Sequence, residues 1–238
     1  MRSCLYHEFL FLQCVFIQLL VSLFNFTIFI NRNNIILNLM KSLYNNDPDE
    51  IKNPEKQQAI QKLIELKFLE QRKIFLWGPV DDDSARDIVS RLLYLEALKP
   101  GEKITFFINS PGGIITSGYS ILDTMNLISS PVSTVCMGLA ASMGSILLSA
   151  GQKGERYIYP LGEVMIHQPS IDYLQGRASD IAIQARQITK SKEIAAEILA
   201  KNCNQTLEQI LKDFDRDYWM DARESVAYGI VDKVYAVK

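Results

Sequence analysis

The fold is indicated most strongly by the stretch ITFFINSPGG at residues 104–113. Residues 104–109 form a nearly continuous apolar run that ends at Asn109, and such a run is typical of a parallel strand that is buried on both faces. The Ser-Pro-Gly-Gly sequence at residues 110–113 predicts a tight turn, because proline fixes one backbone angle and glycine tolerates unusual ones. We therefore predict an interior strand that runs directly into a loop.

Helices and strands alternate outward from this strand. Apolar spacing predicts helices over residues 55–71 and 83–97, the second with Leu92 and Leu93 among its inward residues, and a strand over residues 73–76. The alternation continues through His167, which indicates an α/β fold. The remaining expected elements are helices at 117–128, 140–150, 179–201, 206–208 and 224–228, and strands at 131–137, 155–158, 163–166 and 233–237.

Composition narrows the class of protein. The chain has 238 residues, which allows one large or two small domains, and the simplest interpretation is one domain over residues 40–238. A net charge of −2 gives no reason to expect nucleic acid as a partner. The four cysteines include no Cys-x-x-Cys pair, so we expect neither a metal site nor a disulfide framework, and a reducing, cytoplasmic location fits best.

The N-terminal segment differs from the rest of the chain. Residues 9–30 form 22 residues without a charged side chain, which is long enough to span a bilayer as a helix. No signal-peptide cleavage site is evident. Met40 resembles a natural start, so we interpret residues 1–39 as an apolar extension outside the functional protein. A membrane anchor and a helix that binds a partner are the alternatives.

Two residues suggest chemistry. The chain has only two histidines, and His7 lies in the apolar N-terminal segment, so only His167 can supply imidazole chemistry in the folded body. Ser142 lies among small residues in GLAASMG at 138–144, near the expected start of a helix whose free N–H groups favour negative charge. A serine hydroxyl becomes a nucleophile when a base takes its proton and N–H donors receive the oxyanion. The pattern points to a serine hydrolase.

The other parts of such a site have candidates too. Asp217 is the best carboxylate to orient the histidine, and the amides of Met143 and of Gly112–Gly113 are candidate oxyanion donors. Each feature also has a purely structural explanation, such as close packing for the small residues or a turn for the glycines. Spacing alone does not bring these residues together. Three further aspartates compete with Asp217, namely Asp213, Asp215 and Asp221.

Five sequence blocks together resemble a known family. In this order they resemble the signature blocks of ClpP, the proteolytic subunit of Clp protease, and the resemblance covers roughly residues 69–237. Four blocks in order make it highly specific, and the fifth resembles the family's closing block. The blocks are NSPGG at 109–113, GLAASMG at 138–144, MIHQP at 165–169, DRD at 215–217 and YGIVD at 228–232.

The resemblance implies a role for each candidate residue. Ser142 would be the nucleophile, His167 the general base and Asp217 its orienting partner. Gly113 and Met143 would supply the N–H groups of the oxyanion hole. Main-chain pairing with an extended substrate would involve Gly112, Ile114 and Ile115, within a segment reaching Thr116, and no metal is implied.

The resemblance also implies an architecture and partners. The fold would be a crotonase-like spiral of ββα units with a protruding handle formed by residues 171–201. Heptameric rings would stack as a tetradecamer, degrade unfolded polypeptides and receive them from a hexameric AAA+ ATPase. No Gly-x4-Gly-Lys-Ser/Thr loop occurs, so ATP would be used by the partner and the chain itself would need no cofactor.

One departure from the family pattern leaves the ring composition open. Residues 53–64 lack the Gly-Glu-Arg block that many members carry, which suggests a ring shared with a ClpP paralogue as an alternative to self-assembly. The alternative functions are a catalytically silent ring subunit, a crotonase-type acyl-CoA hydratase or isomerase, and a protease tethered to a membrane through residues 9–30.

Overall fold

The computed structural model describes residues 54–170 and 175–235 of the chain. The chain divides into two compact units, Met1–Glu65 and Leu66–Lys238, and the first is described only from Pro54 onward. The expected extension over residues 1–39, the apolar segment 9–30 and the domain start at residue 40 all lie outside the described residues. Within the described part, no helix has the length and apolar character needed to cross a membrane.

The described residues contain seven helices and seven strands, which confirms the α/β class. The helices are α1 (Pro54–Glu70), α2 (Asp82–Leu98), α3 (Ile115–Leu127), α4 (Met143–Ser149), α5 (Ala178–Cys203), α6 (Leu207–Asp213) and α7 (Ala222–Tyr228). The strands are β1 (Lys73–Trp77), β2 (Ile104–Ser110), β3 (Val132–Ala141), β4 (Arg156–Ile158), β5 (Glu163–Ile166), β6 (Tyr218–Met220) and β7 (Lys233–Val234).

The strands form one mixed sheet. Strands β1, β2, β3, β4 and β7 are parallel neighbours in that order, and β5 pairs in parallel with the far end of β3. Strand β6 then pairs antiparallel with β5. Because β2, β3 and β5 are parallel, their carboxyl ends gather at one edge of the sheet, where Ser110, Ala141 and Ile166 lie.

Strand β2, which lies between β1 and β3, is fully buried on one face only. Its burial alternates, with Ile104, Phe106 and Ile108 fully buried and the residues between them partly buried. The buried residues join those of the helices in one hydrophobic cluster. On the other face Phe107 stacks on Phe75 of β1 with ring centroids 4.9 Å apart. The expectation of burial on both faces was therefore wrong for this strand.

Several expected boundaries were also wrong. Strand β3 continues to Ala141, and α4 begins only at Met143, whereas a helix was expected from Ala140. The pairing of Ala140 and Ala141 with β5 outweighs their helix propensity. Strand β6 was not predicted, because three residues give too short a pattern. The expected inward position of Leu93 in α2 was also wrong, because this side chain is exposed.

Helix α5 is partly buried against its own domain. Its C-terminal part buries Ala195, Ala196 and Leu199, whereas Ile181 is 37% exposed and Ala185 is exposed too. The handle itself stays a prediction, and residues 171–174 of the expected handle lie outside the described residues.

Candidate active site

Ser142 occupies a sharp junction between a strand and a helix. It follows the last residue of β3, precedes the first residue of α4, and has φ 52° and ψ −122°. A non-glycine residue with positive φ is strained, and such strain persists only where the surroundings enforce it. The amide of Ser142 donates to the carbonyl oxygen of Met165 at 2.9 Å, while the hydroxyl makes no capping bond to α4. The hydroxyl is thus free for another partner.

Small residues are required around this junction by close backbone approaches. A Cβ at Gly112 would lie 2.6 Å from the Cβ of Ser142, and one at Gly144 would lie 3.1 Å from the carbonyl oxygen of Ser110. Gly118 of α3 leaves room for the side chain of Met143. The small residues therefore serve packing, and that packing is what fixes the position of Ser142.

His167 lies opposite this serine at the end of the neighbouring strand. Ala141 and Met165 are register partners of β3 and β5, so the residues that follow them emerge at the same edge. The Nε2 atom of His167 is 2.9 Å from the Oγ atom of Ser142. The ring is partly exposed, at 27% of its side-chain surface, which leaves it reachable from solvent.

Of the four aspartates that competed for the third position, Asp217 contacts the histidine. Its Oδ1 atom is 2.9 Å from the Nδ1 atom of His167. Asp213 instead accepts a hydrogen bond from the hydroxyl of Tyr228. Asp215 accepts from two other side chains, those of Gln168 and Arg216, and Asp221 caps α7. The chain therefore aligns Ser142, His167 and Asp217 in one hydrogen-bonded series.

Two backbone amides near Ser142 are free to donate. Among the described residues, no hydrogen bond engages the amide of Met143, at the first position of α4, or the amide of Gly113. A Cβ at Gly112 would come within 2.9 Å of the Met143 nitrogen, so the Gly-Gly segment lies directly against that amide. Both candidate oxyanion donors therefore lie in the immediate surroundings of Ser142.

The Gly-Gly segment is held in place by Val80, which the sequence analysis missed. Val80 donates to the carbonyl oxygen of Gly112 at 2.8 Å and accepts from the amide of Ile114 at 2.7 Å. Neighbouring amides of an extended chain point to opposite sides, so the amide of Gly113 points away from Val80. The extended segment ends at Ile114, because α3 begins at Ile115. It is therefore shorter than the expected segment reaching Thr116.

The comparison with known proteins agrees with this geometry. The family model of Clp protease matches residues 55–238. The chain belongs to the Clp protease family. The match spans most of the chain, including every residue of the Ser142, His167 and Asp217 series. The fold class and the resemblance inferred from sequence are thereby confirmed, and the Clp protease is a peptidase of the ClpP type.

A groove in this Clp protease lies beside the Gly-Gly segment. It has a volume of about 540 Å³ and runs between that segment and α5. Tyr119 contributes to its wall, and burial raises the pKa of the Tyr119 hydroxyl, which has no hydrogen-bond partner among the described residues. The other lining residues are Gly113, Ile114, Ile115, Thr116, Ser170, Gln184, Gln187, Ile188, Lys190, Ser191 and Ile194.

No metal cluster accompanies the site. Within residues 54–170 and 175–235, no three His, Cys, Asp or Glu side chains are grouped so that they could hold a metal ion. The two cysteines of the described part, Cys136 and Cys203, are both buried. Burial raises the pKa of each thiol to about 12, so neither is poised to act as a thiolate.

Proposed function

We propose that the chain is a serine endopeptidase in which Ser142 is the nucleophile, His167 the general base and Asp217 the orienting carboxylate. The proposal is carried by one observation, the two hydrogen-bond distances of 2.9 Å that join Ser142 to His167 and His167 to Asp217. A serine hydroxyl is activated when a base lies within hydrogen-bond distance of it and a third group orients that base.

The reaction proceeds in two halves. The Oγ atom of Ser142 attacks the scissile carbonyl carbon while its proton passes to the Nε2 atom of His167. His167 then protonates the leaving amine, the C–N bond breaks and an ester to Ser142 remains. Water attacks this ester with His167 again as base, which releases the acid and restores the serine. Asp217 holds the Nδ1–H tautomer and stabilises the imidazolium.

The developing oxyanion needs donors that are in place beforehand. The amides of Gly113 and Met143 are proposed for this role, and their lack of hydrogen-bond partners in residues 54–170 and 175–235 supports it. No metal or other cofactor enters the reaction at any step.

Unfolded polypeptides are the proposed substrates. An extended peptide can add to an exposed strand edge through main-chain hydrogen bonds, which accept many sequences. The side of the Gly112–Ile114 segment that faces away from Val80 offers such an edge, and Ile115 borders it as the first residue of α3. The groove beside this edge can take substrate side chains.

Ring assembly and an ATPase partner complete the proposal. The chain would stack with itself or a ClpP paralogue in heptameric rings, and a separate hexameric AAA+ ATPase in the cytoplasm would hydrolyse ATP and deliver substrates. Membership of the Clp protease family supports this arrangement. The exposed apolar residues Ile181 and Ile183 on the first half of α5 support a partner surface there.

Cleavage of a fluorogenic peptide by Ser142→Ala tests the proposal. We expect activity to vanish while the assembly measured by light scattering is unchanged. Ser90→Ala, at an exposed serine of α2, is the matched control and should keep full activity. Full activity in Ser142→Ala would contradict the mechanism. Inactivity of the wild-type chain, alone and with ATPase, would favour the silent subunit, and acyl-CoA turnover would favour the crotonase-type alternative.

A further inference from the structure

The pairing of β5 with β6 is interrupted beside the histidine. Val164 faces Met220 and Ile166 faces Tyr218 in a regular antiparallel register. Continued regularly, this register would bring Gln168 opposite Arg216. Instead the amide of Gln168 donates to the carbonyl oxygen of Phe214 at 2.6 Å. Two extra residues are therefore accommodated on the β6 side, and the chain between Phe214 and Tyr218 bulges out opposite His167.

The side chain of Gln168 closes this bulge. Its Nε2 atom donates to the carbonyl oxygen of Asp215 at 2.9 Å and to the Oδ1 atom of the same residue at 3.1 Å. Together with its backbone amide, Gln168 thus makes three hydrogen bonds to two consecutive residues. Both acceptor residues lie just before Asp217 in the chain.

Asp217 depends on such anchors because little else holds it. Its side chain is 60% exposed, and its one hydrogen bond among the described residues is to His167. On one side, Tyr218 pairs with Ile166 of β5. On the other side, Asp215 is tied to Gln168. The residues before and after His167 are thus tied to the residues on either side of Asp217.

We propose that Gln168 is a positioning residue, which holds Asp217 at hydrogen-bond distance from His167 by closing the bulge at Asp215. This inference rests on the proposed function. The charged group that Gln168 contacts is Asp215, which also has two cationic neighbours. The Nη1 atom of Arg216 lies 3.1 Å from the Oδ2 atom of Asp215, and the Nζ atom of Lys192 in α5 lies 4.0 Å from its Oδ1 atom. Arg216 and Lys192 restrain Asp215 as well, but Gln168 is the residue that connects Asp215 to His167.

Two near-isosteric variants, Gln168→Met and Gln168→Glu, test the proposal. Methionine keeps the shape and removes the donor, whereas glutamate also places a carboxylate against Asp215. We expect kcat per active site to fall in Gln168→Met by up to about 100-fold, the loss that a misplacement of about 1 Å can cause. Gln168→Glu should fall further, and KM should change less than twofold in both. Gln152→Met, at an exposed glutamine, is the control and should behave as wild type.

The division of the effect between kcat and KM separates positioning from mere packing. Asp217 contacts His167, so loosening Asp217 should lower kcat per labelled site while KM stays nearly unchanged. Active sites are counted by a fluorophosphonate probe, so that misfolded protein does not enter kcat. Should a variant fold poorly, kcat per labelled site still reports the effect on its folded fraction.

Unchanged kcat per labelled site in both variants would overturn the proposal, as would a rise in KM at constant kcat. These outcomes leave the proposed function standing, because wild-type protein is labelled in the same experiment. Absence of labelling in the wild-type chain would instead contradict the proposed function itself.

Discussion

The backbone amide of Ser142 donates a hydrogen bond of 2.9 Å to the carbonyl oxygen of Met165. This bond continues the pairing of β3 with β5 beyond the end of β3, and it lies two residues before His167. The serine and the histidine are therefore positioned by one main-chain ladder. Relative placement of their side chains follows from the register of two parallel strands and needs no contact with a ligand.

Asp217→Asn should impair turnover without impairing substrate binding. An amide at this position favours the wrong tautomer of the histidine, and in a related triad this change lowers kcat about 10⁴-fold. Because Asp217 is 60% exposed, we expect a loss of about 10²–10⁴-fold in kcat with KM nearly unchanged. Steady-state kinetics with a fluorogenic peptide measures both. Wild-type kcat in Asp217→Asn would point to another orienting group.

Gly112→Ala should destroy the site, whereas Gly154→Ala should not. Both glycines have positive φ, at 92° and 84°, so both variants carry a similar backbone strain of about 1–2 kcal/mol. A Cβ at position 112 would also collide with Ser142, while one at position 154 meets no atom within 4 Å. Labelling of Ser142 by a fluorophosphonate compares the two. Equal labelling in both variants would show that the close approach is unimportant.

Asp232→Asn should destabilise the fold and flatten its response to acid. Burial alone would raise the pKa of the Asp232 carboxyl, but the hydrogen bonds and charge of Arg156 lower it on balance. The stabilisation that this carboxylate gives is therefore fully present above about pH 4, near the pKa of a carboxyl in the unfolded chain. It is lost as the pH falls through the lower pKa of the carboxyl in the folded protein. We expect a loss of about 3 kcal/mol at pH 7, because Arg156 is then left buried without its counter-charge.

Urea unfolding between pH 2 and 7 measures this effect. Asp83→Asn removes one partner of a fully exposed ion pair with Arg86, so it should change the free energy of unfolding by less than about 1 kcal/mol. An equal effect of Asp83→Asn and Asp232→Asn would contradict the importance of burial. So would an acid response in Asp232→Asn as steep as that of the wild type.

Tyr119→Phe should stabilise the protein. Within the part of the chain that the structure describes, the hydroxyl is buried without a hydrogen-bond partner, and an unsatisfied buried group costs about 1–3 kcal/mol. Removing it should raise the free energy of unfolding by about 1 kcal/mol. Urea unfolding at pH 7 measures the change. A loss of stability of similar size would show that the hydroxyl has a partner in solution.

Much of the fold could be predicted because long periodic segments carry strong local signals. The helices α2 and α5 and the strand β2 were expected close to their observed positions. Their surroundings were less predictable: the exposed first half of α5 and the partly buried face of β2 depend on which surfaces meet in space. Sequence periodicity does not contain that information.

The residues of the candidate triad could be predicted from the sequence, whereas the residues that hold them in place could not. Ser142 and His167 were named from the small-residue stretch and the count of histidines, and the motif blocks supported Asp217, since spacing alone left four aspartates open. Val80 and Gln168 escaped notice because their roles consist of backbone pairing and of closing a bulge. The short strand β6, which delivers Asp217, was missed because three residues carry no measurable period. Such features exist only once distant segments have paired.

The central claim is that Ser142 is an activated nucleophile, and intact-mass measurement after incubation with a fluorophosphonate probe tests it most directly. The wild-type chain should gain one adduct, which peptide mapping locates to Ser142, and Ser142→Ala should gain none. An unlabelled wild-type chain, or an adduct that persists in Ser142→Ala, would contradict the account.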